Sequence, residues 1–243
     1  MSQEAVVQTD NSDWKTLYRV GGAAALVAAI GFRRNLSAEI SLVGVQSPNR
    51  ADGWFDLLQS RPLLGLAMLD LFDVVNYALL GLVFVALYVV LRKVNRSVTL
   101  IALCAGLIGV TACFVSNPAF AMLALSDQYA AAAEASKGMF IAAGEAVLAI
   151  ENPGTPFDGT GAYMALLLVS TAALMFSIVM LQGDIFSRTT AYFGIVGNAL
   201  ILTFFIFIVF APPLTFIPHS AGAIPLVVWE ILLGLRLLKL AKS

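Results

Sequence analysis

Two groups of polar side chains interrupt an otherwise apolar sequence, and their types suit the binding of a proton, a cation or a polar headgroup. The first group lies in the stretch LLGLAMLDLFDVVNYALLGLVFVALYVVL, residues 63–91. Asp70, Asp73 and Tyr77 follow i, i+3, i+7 spacing there, so a continuous helix carries them on one face. Because acids are costly inside membrane spans and commonly mark function, this face is the first candidate site.

Further polar residues are expected close to these acids, at what we call the outer end of the span. They are Asn76, Arg33, Arg34, Asn117 and Glu145. The apolar run 20–32 forms only about 20 Å of helix, which is short of the roughly 30 Å hydrocarbon core. We therefore expect one of the two arginines to pair with one of the two aspartates. The pair belongs either to a binding site or to an interfacial network that only accommodates the short span.

The second group is the pair Glu230 and Asn198, near the other end of the predicted spans. Glu230 lies six residues before Arg236, and Asn198 lies ten residues after Arg188. These separations put them about 9 Å and about 15 Å below the inner membrane boundary. We expect Glu230 to point into the helix bundle towards Asn198 and not into lipid. The pair is either a protonatable coupling site or a hydrogen bond that holds two helices together.

Composition restricts the class of protein. Of the 243 residues, 60% are hydrophobic and 12% are charged, whereas soluble domains carry about 25% charged residues. The net charge of −1 excludes a nucleic-acid-binding body. The single histidine, His219, excludes a bis-histidine haem and a histidine-rich zinc site. No lysine lies within a predicted span, which excludes a retinal protein, and we expect neither a cofactor nor a metal.

The hydropathy pattern predicts an all-α integral membrane bundle of six transmembrane helices. The expected spans are 17–33, 63–91, 98–116, 161–181, 190–211 and 219–238. Residues 1–16 are expected to be a cytoplasmic tail, and 17–240 the transmembrane domain. Within it, 119–159 is expected to form an amphipathic extracytoplasmic segment. The tail is polar and acidic, with no basic residues followed by an apolar run, so we expect no cleaved signal peptide.

Charge and small residues complete the predicted arrangement. Nine of the 14 lysines and arginines fall on the side of the two termini, and five on the other. The excess of positive charge on cytoplasmic loops therefore predicts a protein of the cell membrane with both termini in the cytoplasm. Gly21 and Gly22 in the first span, with Gly106 and Gly109 in the third, favour close packing of helices.

Several stretches resemble a known family. They are YRVGGAAALVAAI, LLGLAMLDLFDVVNYALLGL, NPAFAMLALSDQYAAA, AAGEAVLAIENPG and FSRTTAYFGIVGN. The chain is similar, over about 17–240, to an uncharacterised family of prokaryotic multi-pass membrane proteins, domain of unknown function 4386. The resemblance implies a multi-pass membrane protein and supplies no catalytic residues.

Three functions remain open from the sequence. In the first, the protein binds or moves a small solute, a proton or a lipid, and a water-accessible cavity reaches Glu230. In the second, it is a non-catalytic structural or accessory membrane subunit without such a cavity. In the third, it is a membrane enzyme that uses Asp70, Asp73 and Glu145, and these carboxylates converge closely enough to bridge a metal ion. The lipid bilayer is the partner in all three, and the oligomeric state stays open.

Overall fold

The computed structural model describes residues 14–31, 47–153, 159–214 and 216–242, and its regular elements are all helical. The helices are α1 (14–31), α2 (Ala51–Ser60), α3 (Pro62–Met68), α4 (Leu71–Leu91), α5 (Arg96–Ser116), α6 (Ala119–Ala131), α7 (Glu134–Leu148), α8 (Thr160–Met180), α9 (Arg188–Phe210) and α10 (Phe216–Leu240), with a 3-10 turn at Pro212–Leu214. The all-α class predicted from the sequence is therefore confirmed.

Five stretches of the described chain are long and apolar enough to cross a membrane. They are Leu71–Leu91, Arg96–Ala131, Thr160–Met180, Arg188–Ile208 and Ile217–Leu240. The protein is a helical multi-pass membrane protein, as its composition predicts. Helix α1 is not among the five, since Lys15 and Arg19 lower the hydropathy of its described residues.

The chain folds into two compact units. The first unit takes Met1–Arg34, Ala78–Val110 and Leu167–Ser243, and the second takes Asn35–Tyr77 and Thr111–Leu166. Helices α1, α9 and α10 belong to the first unit, and α2, α3, α6 and α7 to the second. We describe each unit by itself.

Glycines bring α1 and α10 of the first unit into backbone contact. A Cβ atom added to Gly22 would lie 3.0 Å from the carbonyl oxygen of Gly234, and one added to Gly234 would lie 2.8 Å from the carbonyl oxygen of Gly22. The neighbouring contacts, Gly22 with Leu238 and Leu26 with Gly234, show that the two helices run antiparallel. The close packing expected at Gly22 is confirmed, because any larger side chain would separate these backbones.

Polar contacts gather at one end of the first unit. The guanidinium of Arg92 lies 5.2 Å from the centre of the Trp14 ring, a cation–π contact between the start of α1 and the residue after α4. The Nε atom of Arg236 donates a hydrogen bond to the carbonyl oxygen of Ile185. Tryptophan and arginine are the residues that membrane interfaces favour, and they lie here beside the polar turns.

The second unit has its own apolar core, centred on α2. Trp54, Phe55 and Leu58 of this helix are almost completely buried. They pack with side chains from α3, α6 and α7, including Met68, Met122 and Leu148. Burial of three large side chains from a helix of only ten residues explains why this short segment is helical.

The stretch predicted as one helix over 63–91 is divided in the structure. Helix α3 ends at Met68 and α4 begins at Leu71, with Asp70 between them in the left-handed region at φ 57°. Aspartate is among the few residues besides glycine that adopt this conformation. The expectation that Asp70, Asp73 and Tyr77 share one continuous helix face is therefore wrong, because the helix restarts after Asp70.

Asn117 bridges this break to a second one, between α5 and α6. Its Nδ2 atom donates hydrogen bonds to the carbonyl oxygens of Leu69, at 3.1 Å, and of Asp70, at 3.2 Å. Its Oδ1 atom accepts from the backbone N–H of Ala119 at 3.1 Å, so it caps α6 as helix-start side chains do. One amide thus contacts three backbone groups at the two helix ends, one of which, the carbonyl of Asp70, also accepts from the N–H of Asp73.

The segment predicted as amphipathic, 119–159, contains two helices, α6 and α7, and residues 154–158 fall outside the described part of the chain. On α7, Lys137 and Glu134 form an ion pair at 2.9 Å, and 89% of the Glu134 side chain is exposed. The hydrogen bond and the charge of Glu134 raise the pKa of Lys137.

We predict that Gly234→Ala lowers the stability of the protein by about 1–3 kcal/mol, because the new methyl group must force α1 and α10 apart. Gly138→Ala is the matched control, since nothing lies within 4 Å of a Cβ atom at that position. Thermal unfolding of the two variants in detergent checks this. Equal melting temperatures for both variants and the wild type would contradict the proposed backbone contact.

We predict that Asn117→Asp destabilises the protein. Aspartate keeps the oxygen that caps α6 but cannot donate to the carbonyl groups of Leu69 and Asp70, and a buried group left without a partner costs about 1–3 kcal/mol. The loss is greatest at Leu69, because the Asp70 carbonyl also accepts from the N–H of Asp73.

Asn95→Asp is the control, because the Oδ1 atom of Asn95 also accepts at a helix start, from Val98. Within the described chain, the Nδ2 atom of Asn95 donates only to the exposed Gln182, at 3.4 Å, so its loss costs little. A thermal melt in which Asn117→Asp matches the wild type would show that the two carbonyl contacts contribute nothing.

Candidate functional site

Glu230 is buried inside a candidate span of the first unit. Only 5% of the residue is exposed, and its Oε2 atom has no hydrogen-bond partner among the described residues. The side chain is buried within the protein and does not face lipid, which is the orientation that we expected from the sequence. A buried carboxyl oxygen without a partner in the described chain is unusual, since buried polar groups are nearly always hydrogen-bonded.

The packing of α9 against α10 determines what lies opposite Glu230. Gly194 meets Trp229, Gly197 meets Leu226, Ile201 meets Gly222, and the ring of Phe204 lies 5.8 Å from that of His219. Each step forward in α9 is matched by an equal step back in α10, so the helices are antiparallel with a constant register.

This register separates Asn198 from Glu230. Asn198 lies level with Pro225, which is five residues, or about 7.5 Å, before Glu230 along α10. The Nδ2 atom of Asn198 donates instead to the carbonyl oxygen of Gly194 at 2.8 Å, within its own helix. The expected hydrogen bond between Glu230 and Asn198 is therefore not formed. Asparagine in a helix readily bonds back to the carbonyl four residues earlier, and that local contact wins here.

Trp229 lies next to Glu230 and is also buried. A Cβ atom added to Gly194 would lie 2.4 Å from Nε1 of Trp229 and 2.1 Å from Oγ of Ser177, so only glycine allows the indole to lie here. Ser177 donates to the carbonyl oxygen of Ala173 at 2.7 Å. The Trp229 N–H has no hydrogen-bond partner in the described chain, which adds a second unsatisfied polar group beside Glu230.

On its other side, Glu230 approaches α1. The antiparallel contacts of Gly22 and Leu26 with Gly234 bring Ala28 and Ala29 close to the level of Glu230. Both alanines are buried, at 0% and 3% exposed. Alanine offers no polar atom beyond its backbone, so neither side chain can neutralise the carboxylate.

The outer acids lie in the second unit and are held by helix ends. Asp73 is in the first turn of α4, and its N–H donates to the carbonyl oxygen of Asp70 at 3.0 Å. A carboxylate in the first turn is favoured by the helix dipole. These positions give both acids a structural explanation, one in a turn and one at a helix start.

Glu151 is a member of this group that the sequence analysis missed. It follows α7 and is 4% exposed. The carboxylates of Asp73, Glu151 and Asp70 all interact electrostatically with the Tyr77 hydroxyl and with the Cys113 thiol. The signal in the sequence was the acid in AIENPG, which stands just before an expected helix end.

The remaining predicted residues of the outer group do not share a common set of contacts. Glu145 accepts a hydrogen bond from the N–H of Ala51 at 3.0 Å, so its carboxylate satisfies the start of α2. The Oδ1 atom of Asn76 is buried and has no hydrogen-bond partner in the described part of the chain. Arg33 and Arg34 fall outside the described residues, and with them the predicted pairing to Asp70 or Asp73.

The described residues contain no group of three histidine, cysteine, aspartate or glutamate side chains that could hold a metal ion. The convergence of Asp70, Asp73 and Glu145 that the enzyme hypothesis requires is not found among them. Glu145 is instead engaged at the start of α2.

Comparison with known proteins agrees with this architecture. No curated protein and no solved structure matches the chain significantly. A family model described as "Domain of unknown function (DUF4386)" matches residues 57–240, which is most of the chain and includes Glu230 and all the outer acids. The resemblance stated from the sequence is thereby confirmed, and this multi-pass helical membrane protein belongs to the DUF4386 family.

Proposed function

We propose that this protein binds a proton at Glu230 and uses it to move a small solute, or the proton itself, across the membrane. The observation that carries the proposal is the burial of the Glu230 carboxyl without a hydrogen-bond partner for Oε2 in the described chain. A charge in such a place costs several kcal/mol, whereas the neutral acid does not. In this proposal the acid is neutral at rest and becomes charged only when it releases its proton.

The contacts around Glu230 support this role over a purely structural one. A residue that only holds helices together needs a partner on another helix, and Asn198 donates within its own helix instead. The packing of α10 against α1 and α9 rests on glycines, at Gly22, Gly234 and Gly197. Helix association is thus explained without Glu230, and its cost must be offset by function.

Six spans with both termini in the cytoplasm form part of the proposal. Antiparallel packing of α1 on α10 supports a crossing by α1, because α1 then runs beside a candidate span. It also brings the start of α1 to the same side as the end of α10. The surplus of lysine and arginine on that side supports a cytoplasmic position.

The test of proton binding is labelling by a hydrophobic carbodiimide, which adds to protonated carboxyl groups from within the membrane. We expect one adduct on the peptide that carries Glu230, with labelling that declines as the pH rises. Glu230→Gln should abolish the adduct and leave the protein folded, because glutamine has almost the same shape. Mass spectrometry of the digested protein measures both outcomes.

Glu134→Gln is the matched control for this labelling. Its side chain is 89% exposed beside Lys137 and lies on another helix, so its replacement should leave the adduct on Glu230 unchanged. Absence of an adduct on Glu230 at every pH would refute proton binding there. An unchanged adduct in Glu230→Gln would assign the reaction to another residue.

The proposed topology is checked with single cysteines in a variant whose native Cys104 and Cys113 are replaced by alanine. We expect Ser136→Cys, exposed on α7, to react with a membrane-impermeant reagent added outside intact cells. Ser97→Cys, exposed at the start of α5, should react only after the cells are opened. The reverse pattern would show that the protein has the opposite orientation in the membrane. Reaction of both cysteines in intact cells would show that the two positions do not lie on opposite sides of the membrane.

A further inference from the structure

We propose that a water-lined proton path joins His219 to Glu230 along the face of α10 that lies against α9 and α1. The proposal rests on the proposed protonation of Glu230 and adds the route by which the proton reaches it. His219 is the end of the route nearest the start of α10, and Glu230 is the end inside the span.

His219 and Glu230 share one face of α10. They are 11 residues apart, which is close to three full turns and about 16.5 Å along the axis. Ala223 lies between them on this face, four residues after His219, and is 1% exposed. Ile224, the next residue, points elsewhere and is 69% exposed. The two titratable groups therefore lie on the buried side of the helix, at two depths.

Buried polar atoms without hydrogen-bond partners in the described chain lie at both ends of this stretch of α10. Nδ1 of His219, Oγ of Ser220, Nε1 of Trp229 and Oε2 of Glu230 are all buried and lack hydrogen-bond partners in the described chain. Pro225 lies between the two pairs and has no N–H for the carbonyl group four residues earlier. Buried polar groups of this kind are usually satisfied by ordered water, and water in a row conducts protons.

No other titratable side chain lies on the neighbouring helix stretches. Residues 21–31 of α1, 167–180 of α8 and 194–210 of α9 contain none. His219 faces the ring of Phe204, at 5.8 Å, which cannot exchange a proton. Along these stretches, His219 and Glu230 are therefore the two groups that can take up and release protons.

The path is tested first by the reaction of cysteines with a small aqueous methanethiosulfonate, with Cys104 and Cys113 replaced by alanine. We expect Ala223→Cys to react at least about tenfold faster than Ile224→Cys, because only the thiolate reacts and it forms only in contact with water. This order is the opposite of the exposures of the two residues in the structure. If Ala223→Cys does not fold, Ser220→Cys replaces it, since the side chains of serine and cysteine have nearly the same shape.

The role of His219 is tested by the rate at which Glu230 is deprotonated after a pH jump, followed by the infrared band of its protonated carboxyl group. His219→Asn should slow this rate at least about tenfold, as removal of a proton-transferring group does. Added imidazole should restore it, which a merely structural role of His219 would not allow. An unchanged rate, or a slow rate that imidazole does not restore, would overturn the role of His219.

The outcomes separate this proposal from the proposed function. If Glu230 forms the carbodiimide adduct but Ala223→Cys, or Ser220→Cys in its place, reacts no faster than Ile224→Cys, only the water-lined path is overturned. If Glu230 forms no adduct at any pH, proton binding fails and the path to it fails as well.

Discussion

A carboxyl group inside a membrane protein must be neutral, paired or hydrated, and the structure around Glu230 depends on this constraint. Among the residues that the structure describes, no side chain opposite Glu230 supplies a pair, because Ala28 and Ala29 of α1 lie close to its level and Asn198 of α9 is displaced along the helix. An ionised carboxylate would then carry the full desolvation cost. In the proposed function, uptake of a proton removes this cost.

Close helix packing creates this environment and needs no polar contact to do so. Gly22 and Gly234 join α1 to α10, and Gly194 and Gly197 join α9 to α10. Because lipid is as apolar as the side chains, the hydrophobic effect does not drive helices together in a membrane. They associate instead through close packing at such small residues. Because glycine supplies the association, a polar residue in the same interface is available for chemistry.

The second unit shows the opposite use of polar groups. Asn117 makes hydrogen bonds to three backbone groups at two helix breaks, and Glu145 satisfies the first N–H of α2. Asp73 lies in the first turn of α4. These side chains are costly in an apolar setting but are offset by the helix ends that they complete. Polar residues that look alike in the sequence thus differ in whether their side chains form hydrogen bonds to backbone groups at a helix end.

The sequence predicted the helical class because this class follows from composition and long apolar runs. The family was identified separately, from stretches that resemble it. The break at Asp70 could not be predicted, since aspartate adopts the left-handed conformation only where contacts such as those of Asn117 hold the turn.

The burial of Glu230 followed from the cost of exposing an acid to lipid. The missing bond to Asn198 did not, because the register of α9 on α10 depends on where glycines allow contact. Counting residues from the end of each span gives the depth of a side chain in the membrane. It does not give the register between two helices to within one turn. Glu151 was missed for a related reason, since it lies outside any apolar run and joins the acids only in the folded chain.

The most direct test of the account is infrared spectroscopy of the protein in lipid, where a protonated carboxyl group gives a band separate from those of carboxylates and amides. The account predicts a protonated carboxyl band at neutral pH that shifts on exchange into D₂O, weakens as the pH rises and disappears in Glu230→Gln. A band that is absent at neutral pH, or that persists in Glu230→Gln, would contradict the claim that Glu230 is a buried, exchangeable acid.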